Sequence, residues 1–159
     1  MQQWIADLNH PELRQRLEAA AQLMNGGQQS IDPLLAALNH EEVEIRWRAA
    51  AALGWIGDPR VIPALAQRGD GEGYEGKFNI VWALGQIGDA AAIQPLLAIV
   101  HAGDDESPDI RYNAALALAR LGQADTLRQS LEGSPEAVYR VAHAALAAYE
   151  YIITRFDSL

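Results

Sequence analysis

Hydrophobic residues recur along the chain three and four positions apart, the spacing that places side chains on one face of an α-helix. Ala49, Ala50 and Leu53 have this spacing, and the segment 114–118 repeats it with Ala, Ala and Leu. Between such stretches lie short turns that contain glycine, proline and aspartate. The pattern predicts an all-α chain of short amphipathic helices.

The sequence also repeats itself with a period of about 30 residues. The segment 52–58, Ala-Leu-Gly-Trp-Ile-Gly-Asp, returns as Ala-Leu-Gly-Gln-Ile-Gly-Asp at 83–89 and in degraded form at 117–123. The segments 30–36 and 92–98 share Pro-Leu-Leu-Ala. A period of this length, with two helices in each unit, indicates stacked helical hairpins that bury one another's apolar faces.

Turn residues define the predicted boundaries. Gly57, Gly88 and Gly122 stand where a residue with a left-handed backbone would end a helix, and Asp58 and Asp89 are expected to cap the next one. Helices are predicted near residues 2–9, 11–25, 31–39, 41–56, 59–68, 75–87, 90–102, 108–121, 124–131 and 135–155.

These helices predict a right-handed α-α superhelix of about four to five helical-hairpin repeats with atypical capping ends. We interpret residues 1–159 as one domain. It comprises a half repeat at 1–9, repeats at about 10–39, 40–68, 69–102 and 103–131, and a C-terminal capping helix at about 134–156.

The segment 45–65 resembles the HEAT-like repeat of the phycobilin lyase family. It contains an Ile-Arg pair, a run of small residues, Ala-Leu-Gly-x-Ile-Gly-Asp and then Ile-Pro-Ala-Leu. The resemblance covers about residues 10–131 and implies a HEAT-like solenoid. Similar repeats occur in bilin lyase subunits, in chaperones and degradation factors of phycobilisomes, and in bacterial scaffold proteins.

Composition narrows the classes of function. The formal net charge is −9 and Lys77 is the only lysine, so the surface is expected to repel nucleic acid. The absence of cysteine excludes disulfides, thiolate metal sites and cysteine nucleophiles. The first residues lack a basic signal-peptide region, and no apolar run approaches the roughly 18 residues of a membrane span. We therefore expect a cytoplasmic protein that binds neither membrane nor nucleic acid.

No group of residues is typical of a catalytic or metal site. The four histidines are His10, His40, His101 and His143. They lack the i, i+4 spacing of a helical metal site, and none lies beside a serine of a nucleophile motif. The first two stand at equivalent turns and are expected to serve as caps. We predict no catalytic residue, no metal and no cofactor, and lyase activity depends on the family resemblance alone.

The segment 69–77 interrupts the repeat with four glycines. It fails as a phosphate-binding loop, because Phe78 stands where that loop requires Ser or Thr. We interpret it as a flexible surface loop, with Tyr74 as a candidate contact to a ligand or partner.

One basic residue occupies the same position in successive units: Arg16, Arg46, Lys77, Arg111 and Arg140. We predict a structural ladder of hydrogen bonds and ion pairs between repeats. The alternative is a ladder that binds the propionates of a bilin.

Acidic residues gather at the turns that enter the first helix of each unit. They are Glu41, Glu42, Glu44, Asp70, Glu72, Glu75, Asp104, Asp105, Glu106, Asp109, Glu132 and Glu136. Acids near a helix N-terminus are stabilised by the helix dipole, which explains their position without a partner. The alternative is an acidic rim that docks a basic partner.

The tryptophans divide into two classes. Trp55 is replaced by Gln86 and Arg120 in later units, so its position is expected to face water as a contact residue, with local packing as the alternative. The position of Trp47 is predicted to be core, because the other units place apolar residues there: Leu17, Phe78, Tyr112 and Val141. Trp82 is also predicted to be core, and Trp4 to pack the N-terminal cap.

These observations predict a non-catalytic protein–protein interaction scaffold or adaptor that binds a protein partner on its surface. The alternative is a bilin lyase or bilin-handling chaperone subunit of phycobilisome assembly or turnover, alone or within a heterodimer. Contacts are predicted at Trp55 and Tyr74 and along the second helices, at Asp32, Arg60, Gln67, Arg68, Gln94 and Arg128. The sequence does not predict the oligomeric state.

Overall fold

The computed structural model describes residues 1–69, 71–103 and 106–156. Within these residues the chain contains ten α-helices, two 3-10 turns and no strand. The helices are α1 (Gln2–Asp7), α2 (Leu13–Asn25), α3 (Gln28–Ala37), α4 (Val43–Ile56), α5 (Ile62–Gly69), α6 (Tyr74–Ile87), α7 (Ile93–Val100), α8 (Pro108–Arg120), α9 (Ala124–Ser130) and α10 (Glu136–Phe156). The 3-10 turns Pro59–Val61 and Ala90–Ala92 precede α5 and α7. The all-α prediction is confirmed.

Helix α3 begins at Gln28 instead of the predicted residue 31. Gly27 has a φ of 51° and turns the chain immediately after α2. Residues 28–30 are the repeat equivalents of the 3-10 turn Ala90–Ala92, and here they are part of the α-helix.

The predicted helix ends and caps are present. Gly57, Gly88 and Gly122 have φ values of 74°, 74° and 73°, a conformation that residues with a Cβ rarely adopt. The carboxylate of Asp58 accepts a hydrogen bond from the backbone N–H of Arg60 at 2.9 Å. Asp89 caps the next repeat in the same way. Local chemistry therefore determines where these helices begin and end.

The chain divides into two compact units, Met1–Ile87 and Gly88–Leu159. We call them unit 1 and unit 2 and describe each by itself, and the single domain over 1–159 stays a prediction. In unit 1 the first helix of each hairpin is α2, α4 or α6, and α4 packs against both of the others. Helix α3 packs against α4 and α5 against α6, around leucines that include the fully buried Leu53 and Leu84.

Gly54 allows α4 and α6 to approach closely. A Cβ atom added to Gly54 would lie 2.8 Å from the Cα of Ala83 and 3.0 Å from Cζ3 of Trp82. Real Cβ contacts are not this short, so the glycine of Ala-Leu-Gly-Trp-Ile-Gly-Asp is required by packing and not only by backbone freedom. Small side chains beside it, Ala49 and Ala50, are also buried.

In unit 2, α8 packs against α7, α9 and α10. Its buried residues include Ile110 and Leu118, which have no solvent-exposed surface. Helix α10 has 21 residues, and its last turns expose Tyr151 and Ile152. No helix within the described residues is both long enough and apolar enough to span a membrane.

The predicted core position of Trp47 is wrong. Its equivalents Leu17 and Phe78 are 62% and 39% exposed, and Trp47 itself is half-buried. Successive helical residues are about 100° apart, so Trp47 lies roughly opposite the buried Ile45 and Ala49 on α4. Trp82 is likewise half-buried, so this prediction is also corrected.

We expect Gly54→Val to lower the free energy of unfolding by about 1–3 kcal/mol, because the added side chain overlaps Ala83. Chemical denaturation followed by circular dichroism measures the change. The control is Gly73→Val, since a Cβ at Gly73 meets no atom within 4 Å. Equal stability of the Gly54 variant and the wild type would show that α4 and α6 do not need this close approach.

Candidate partner-binding surface

The first helices of unit 1 carry apolar side chains that are exposed or half-buried, six of them at equivalent repeat positions. We call this surface the apolar face. It consists of Leu13 and Leu17 on α2, Val43, Trp47 and Trp55 on α4, and Tyr74, Phe78 and Trp82 on α6. Sequence reasoning missed it because contacts were expected mainly on the second helices. The sequence signal for the apolar face was the apolar residue that recurs at the position of Trp47 in successive repeats.

The apolar face is continuous across three helices. Within each helix most of its residues are four positions apart and so lie in one row. Because α4 packs against α2 and α6, the three rows are neighbours. At one end, the rings of Trp55 and Trp82 lie 5.4 Å apart between centroids, at an angle of 56°. The rows therefore form one surface instead of isolated patches.

Trp55 is 61% exposed even though one side of its ring packs on Trp82. The expected exposure is therefore present together with local packing, the two interpretations that the sequence left open. An indole fixed on one side and open on the other loses little side-chain entropy when a partner covers it. Its role as a contact residue stays a prediction.

The candidates on the second helices are polar and, apart from the half-buried Arg68, exposed, but their basic members are already bonded. Arg60 donates to Asp58 at 2.7 Å, and the Gln28 side chain donates to the same carboxylate at 2.9 Å. In unit 2, Arg128 contacts Asp125 and Glu150. The remaining candidates on these helices, Asp32, Gln67 and Gln94, are exposed.

Hydrogen bonds from the Arg60 side chain, and then from its backbone N–H, hold the pKa of Asp58 at about 2. Asp58 in turn raises the pKa of Arg60, with a smaller contribution from Asp32. Asp58 thus joins the capped turn to Gln28 of the preceding repeat, and Arg60 has a structural role whether or not it contacts a partner.

Glu72 corrects two expectations for the segment 69–77. Instead of lying in an exposed acidic rim or a plain surface loop, it is buried, and its carboxylate accepts hydrogen bonds from Nε of Arg46 at 2.7 Å and Nε of Arg68 at 2.6 Å. Burial acts to raise the pKa of Glu72, but the hydrogen bonds from Arg46 and Arg68 outweigh it and lower the pKa. A Cβ at Gly76 would lie 2.6 Å from that of Glu72, so Gly76 makes room for this side chain.

Three arginines of the basic ladder donate hydrogen bonds to backbone carbonyls at equivalent turns. Arg16 donates to the carbonyl of His10 at 2.7 Å, and Arg46 donates to that of His40 at 3.0 Å. Arg111 is buried and donates to Val100, Ala102 and Gly103. Their guanidinium groups satisfy carbonyls at the ends of the second helices and the turns that follow them.

Arg140, the last ladder position, differs from this pattern. Lys77 is half-buried, whereas Arg140 is exposed and makes no carbonyl contact in the part of the chain that the structure describes. Arg140 instead lines an open cleft of about 680 Å³ between α8 and α10, together with Tyr112, Tyr139 and His143. The rings of Tyr139 and His143 stack at 5.5 Å.

Acidic side chains border the apolar face where α4 and α6 begin. We call Glu41, Glu42, Glu44 and Glu75 the acidic edge. None of the four makes a salt bridge within the described residues. Of the other predicted rim residues, Asp70, Asp104 and Asp105 lie outside the described residues, whereas Glu132 and Glu136 are exposed.

The histidines serve structural roles. Nδ1 of His10 and Nδ1 of His40 each accept a backbone N–H at 3.1 Å, which confirms both as caps. The fold brings His101 to 3.0 Å from Ser130, a neighbour that the sequence did not predict. Because the Ser130 hydroxyl donates to the carbonyl of Leu127, His101 does not act as its general base in this arrangement. No cluster of potential metal ligands occurs among the described residues.

The two-helix repeats, the glycine-terminated first helices and the exposed surfaces define a helical-repeat protein. A model of HEAT repeats matches residues 1–75 and 70–148, and the chain belongs to this family. No curated protein matches the chain in sequence.

Among solved structures, the chain is similar to the complex of CpcE and CpcF of phycocyanin lyase from Nostoc sp. PCC7120, at 23% identity and a TM-score of 0.65. The match covers 96% of this chain and 68% of the other. A designed armadillo repeat protein has 23% identity and a TM-score of 0.49, covering 90% and 79%. The first similarity shows a shared fold.

We expect Glu72→Gln to lower the free energy of unfolding by about 3 kcal/mol at neutral pH, because Arg46 and Arg68 lose a buried anionic partner. The lowered pKa of Glu72 makes this contribution complete above the ordinary value of 4.5 and reduces it as the pH falls through the lowered pKa. Unfolding curves of wild type and variant should therefore converge below pH 4.5. Glu75→Gln is the matched control, since Glu75 is exposed. A pH-independent difference would contradict the proposed charge pairing.

Proposed function

We propose that the chain is a non-catalytic protein-interaction module, and that its partner binds the apolar face of unit 1. The observation that supports this is the exposure of large apolar side chains on three adjacent helices, with Leu17 and Trp55 more than 60% exposed. Scattered apolar residues on a protein surface need no explanation, but a continuous apolar surface is typical of an interaction site. A cytoplasmic location is part of the same proposal.

The free energy of burying an apolar side chain favours Trp55 as the residue that contributes most to binding. Full burial of a large apolar side chain contributes roughly 1.5–3 kcal/mol, and tryptophans are enriched among the residues whose loss weakens an interface most. The ring of Trp55 already packs on Trp82 in the free protein, so it loses less side-chain entropy when a partner binds.

The surface of the second helices is the weaker candidate. Its exposed members Asp32, Gln67 and Gln94 are polar, and Arg60 and Arg128 are held by acids of the same chain. A partner there would have to compete with those ion pairs or pack around them. These residues stay candidates for the rim of an interface.

The variant Trp55→Ser/Phe78→Ser should lose at least tenfold in affinity for the native partner, since about 1.4 kcal/mol corresponds to a factor of ten. The partner is identified by co-purification from the native host with wild-type protein, and its affinity is then measured by calorimetry. Asp32→Ser/Gln67→Ser is the matched control on the second helices. Unfolding curves show that each variant is folded.

Unchanged affinity of the Trp55 and Phe78 variant would exclude the apolar face. Loss of binding in the Asp32→Ser/Gln67→Ser control alone would show that the partner binds the second helices instead.

A second candidate function is bilin binding, and the cleft beside Arg140 is the observation that favours it. A cation next to Tyr112 and Tyr139, in a space of about 680 Å³, suits an extended ligand with carboxylates. The fold similarity to a phycocyanin lyase complex is consistent with this candidate. Against a bilin-binding ladder, Arg16, Arg46 and Arg111 are committed to carbonyls, so Arg140 is the one ladder arginine left to bind a propionate in the part of the chain that the structure describes.

If this candidate is correct, biliverdin mixed with the protein should change its visible absorption spectrum. Arg140→Ala should then weaken binding about tenfold, the loss of one charge-assisted hydrogen bond worth roughly 1.5–3 kcal/mol. Arg120→Ala, an exposed arginine of α8, is the control. An unchanged spectrum with wild-type protein would remove bilin binding and leave the interaction module.

A further inference from the structure

We propose that the occupant of the apolar face is an amphipathic helix of a partner protein that carries large apolar side chains on one side and Lys or Arg beside them. This inference depends on the proposed function, since it gives the chemistry of the partner that binds the same surface. It goes further because it assigns charge and secondary structure to that partner.

The charge of the partner follows from the acidic edge. Glu42 and Glu44 flank Val43 in sequence, and Glu75 follows Tyr74, so acids and apolar side chains alternate where α4 and α6 begin. Glu42 and Glu75 are exposed, and Glu44 is half-buried. Lys or Arg on a partner would meet carboxylates that lack a salt bridge within the described residues. Acid groups on a partner would be repelled instead.

Internal bonding of the basic residues leaves this edge acidic. Arg46 and Arg68 are paired with Glu72, and Arg48 donates to the carbonyl of Leu8. Arg16 is bonded to carbonyls of the turn before α2. Arg14 at the start of α2 is exposed and Lys77 on α6 is half-buried, so the attraction for a basic partner is strongest at the start of α4.

Exposed aromatic rings add to the preference for a basic partner. A Lys or Arg side chain over the face of Trp, Tyr or Phe gains roughly 0.5–1 kcal/mol at an exposed site. Trp55, Tyr74 and Phe78 offer such rings, and Tyr74 lies directly beside the acid Glu75.

The parallel rows of the apolar face favour a helix as the occupant. An amphipathic helix presents apolar anchors at i, i+3, i+4 and i+7, which form a row of the same kind as the rows on α4 and α6. Such a helix can therefore lay its apolar side along these rows.

A second copy of the chain fits this surface poorly. The sequence has 21 acidic residues and 12 basic ones, and the exposed apolar end of α10, around Ile152, lies between Glu150 and Arg155. It therefore lacks the excess positive charge that the acidic edge would attract. The proposal accordingly commits to a different, basic protein.

The test uses an 18-residue amphipathic peptide of leucine and lysine, labelled with a fluorophore, and the full chain. A leucine–glutamate peptide and a scrambled leucine–lysine peptide are the comparison probes. Fluorescence anisotropy measures the affinity at two salt concentrations. We expect the leucine–lysine helix to bind and its affinity to fall with salt, and we expect at least tenfold weaker binding of both comparison probes.

The variants separate the apolar face from general attraction to an acidic protein. Trp55→Ser/Phe78→Ser and Glu41→Lys/Glu75→Lys should each weaken peptide binding at least tenfold. Glu132→Lys/Glu136→Lys is the matched control, because it makes the same change of charge at a turn and a first helical turn in unit 2. Its affinity should stay within twofold of the wild type.

Equal binding of the glutamate peptide, no binding of the lysine peptide, or an equal loss in the unit 2 control would overturn this inference. Binding of the native partner to the Trp55→Ser/Phe78→Ser variant then distinguishes failure of this inference from failure of the proposed function. If Trp55→Ser/Phe78→Ser still abolishes partner binding, the apolar face stands and only the basic helix is excluded; if partner binding is retained, both proposals fail.

Discussion

The close approach of α4 to α6 is the constraint on which the rest of unit 1 depends. Gly54 lies against Ala83 with no room for a Cβ atom, and buried alanines fill the neighbouring positions. The ring of Trp82 packs at this contact, with its Cζ3 3.0 Å from the Cβ position of Gly54. Trp55 packs on Trp82 and stays 61% exposed, whereas Trp47 is half-buried with its Nε1 out of contact with water. The exposed part of the apolar face thus begins where packing around the glycine ends.

Backbone hydrogen bonding determines the charge of the same surface. Carbonyls after a second helix have no helical partner, and Arg16, Arg46 and Arg111 satisfy them from the next first helix. Arg46 and Arg68 also neutralise the buried Glu72. Glu41, Glu42 and Glu75 make no salt bridge within the described residues, so the edge beside the apolar face stays acidic.

Sequence patterns predicted what depends on neighbours along the chain and missed what depends on contacts between repeats. Helical periodicity and the glycines with positive φ, such as Gly57, defined the helices to within about three residues, because local backbone chemistry decides them. Trp47 was misassigned because an apolar residue that recurs in every repeat is expected in a core. Glu72 lies 26 residues from Arg46, and only the fold joins them. The available signal was Gly76, whose missing side chain makes room for that glutamate.

The fold leaves the choice of function to a few side chains. A bilin requires a cation beside aromatic rings in a cleft, which the Arg140 region of unit 2 provides at one point. A protein partner requires a broad apolar surface with complementary charge at its border, and unit 1 provides this across three helices. Because the remaining ladder arginines are held by carbonyls, a tetrapyrrole would find only that single cation there. The balance of contacts therefore favours recognition of a protein over binding of a pigment.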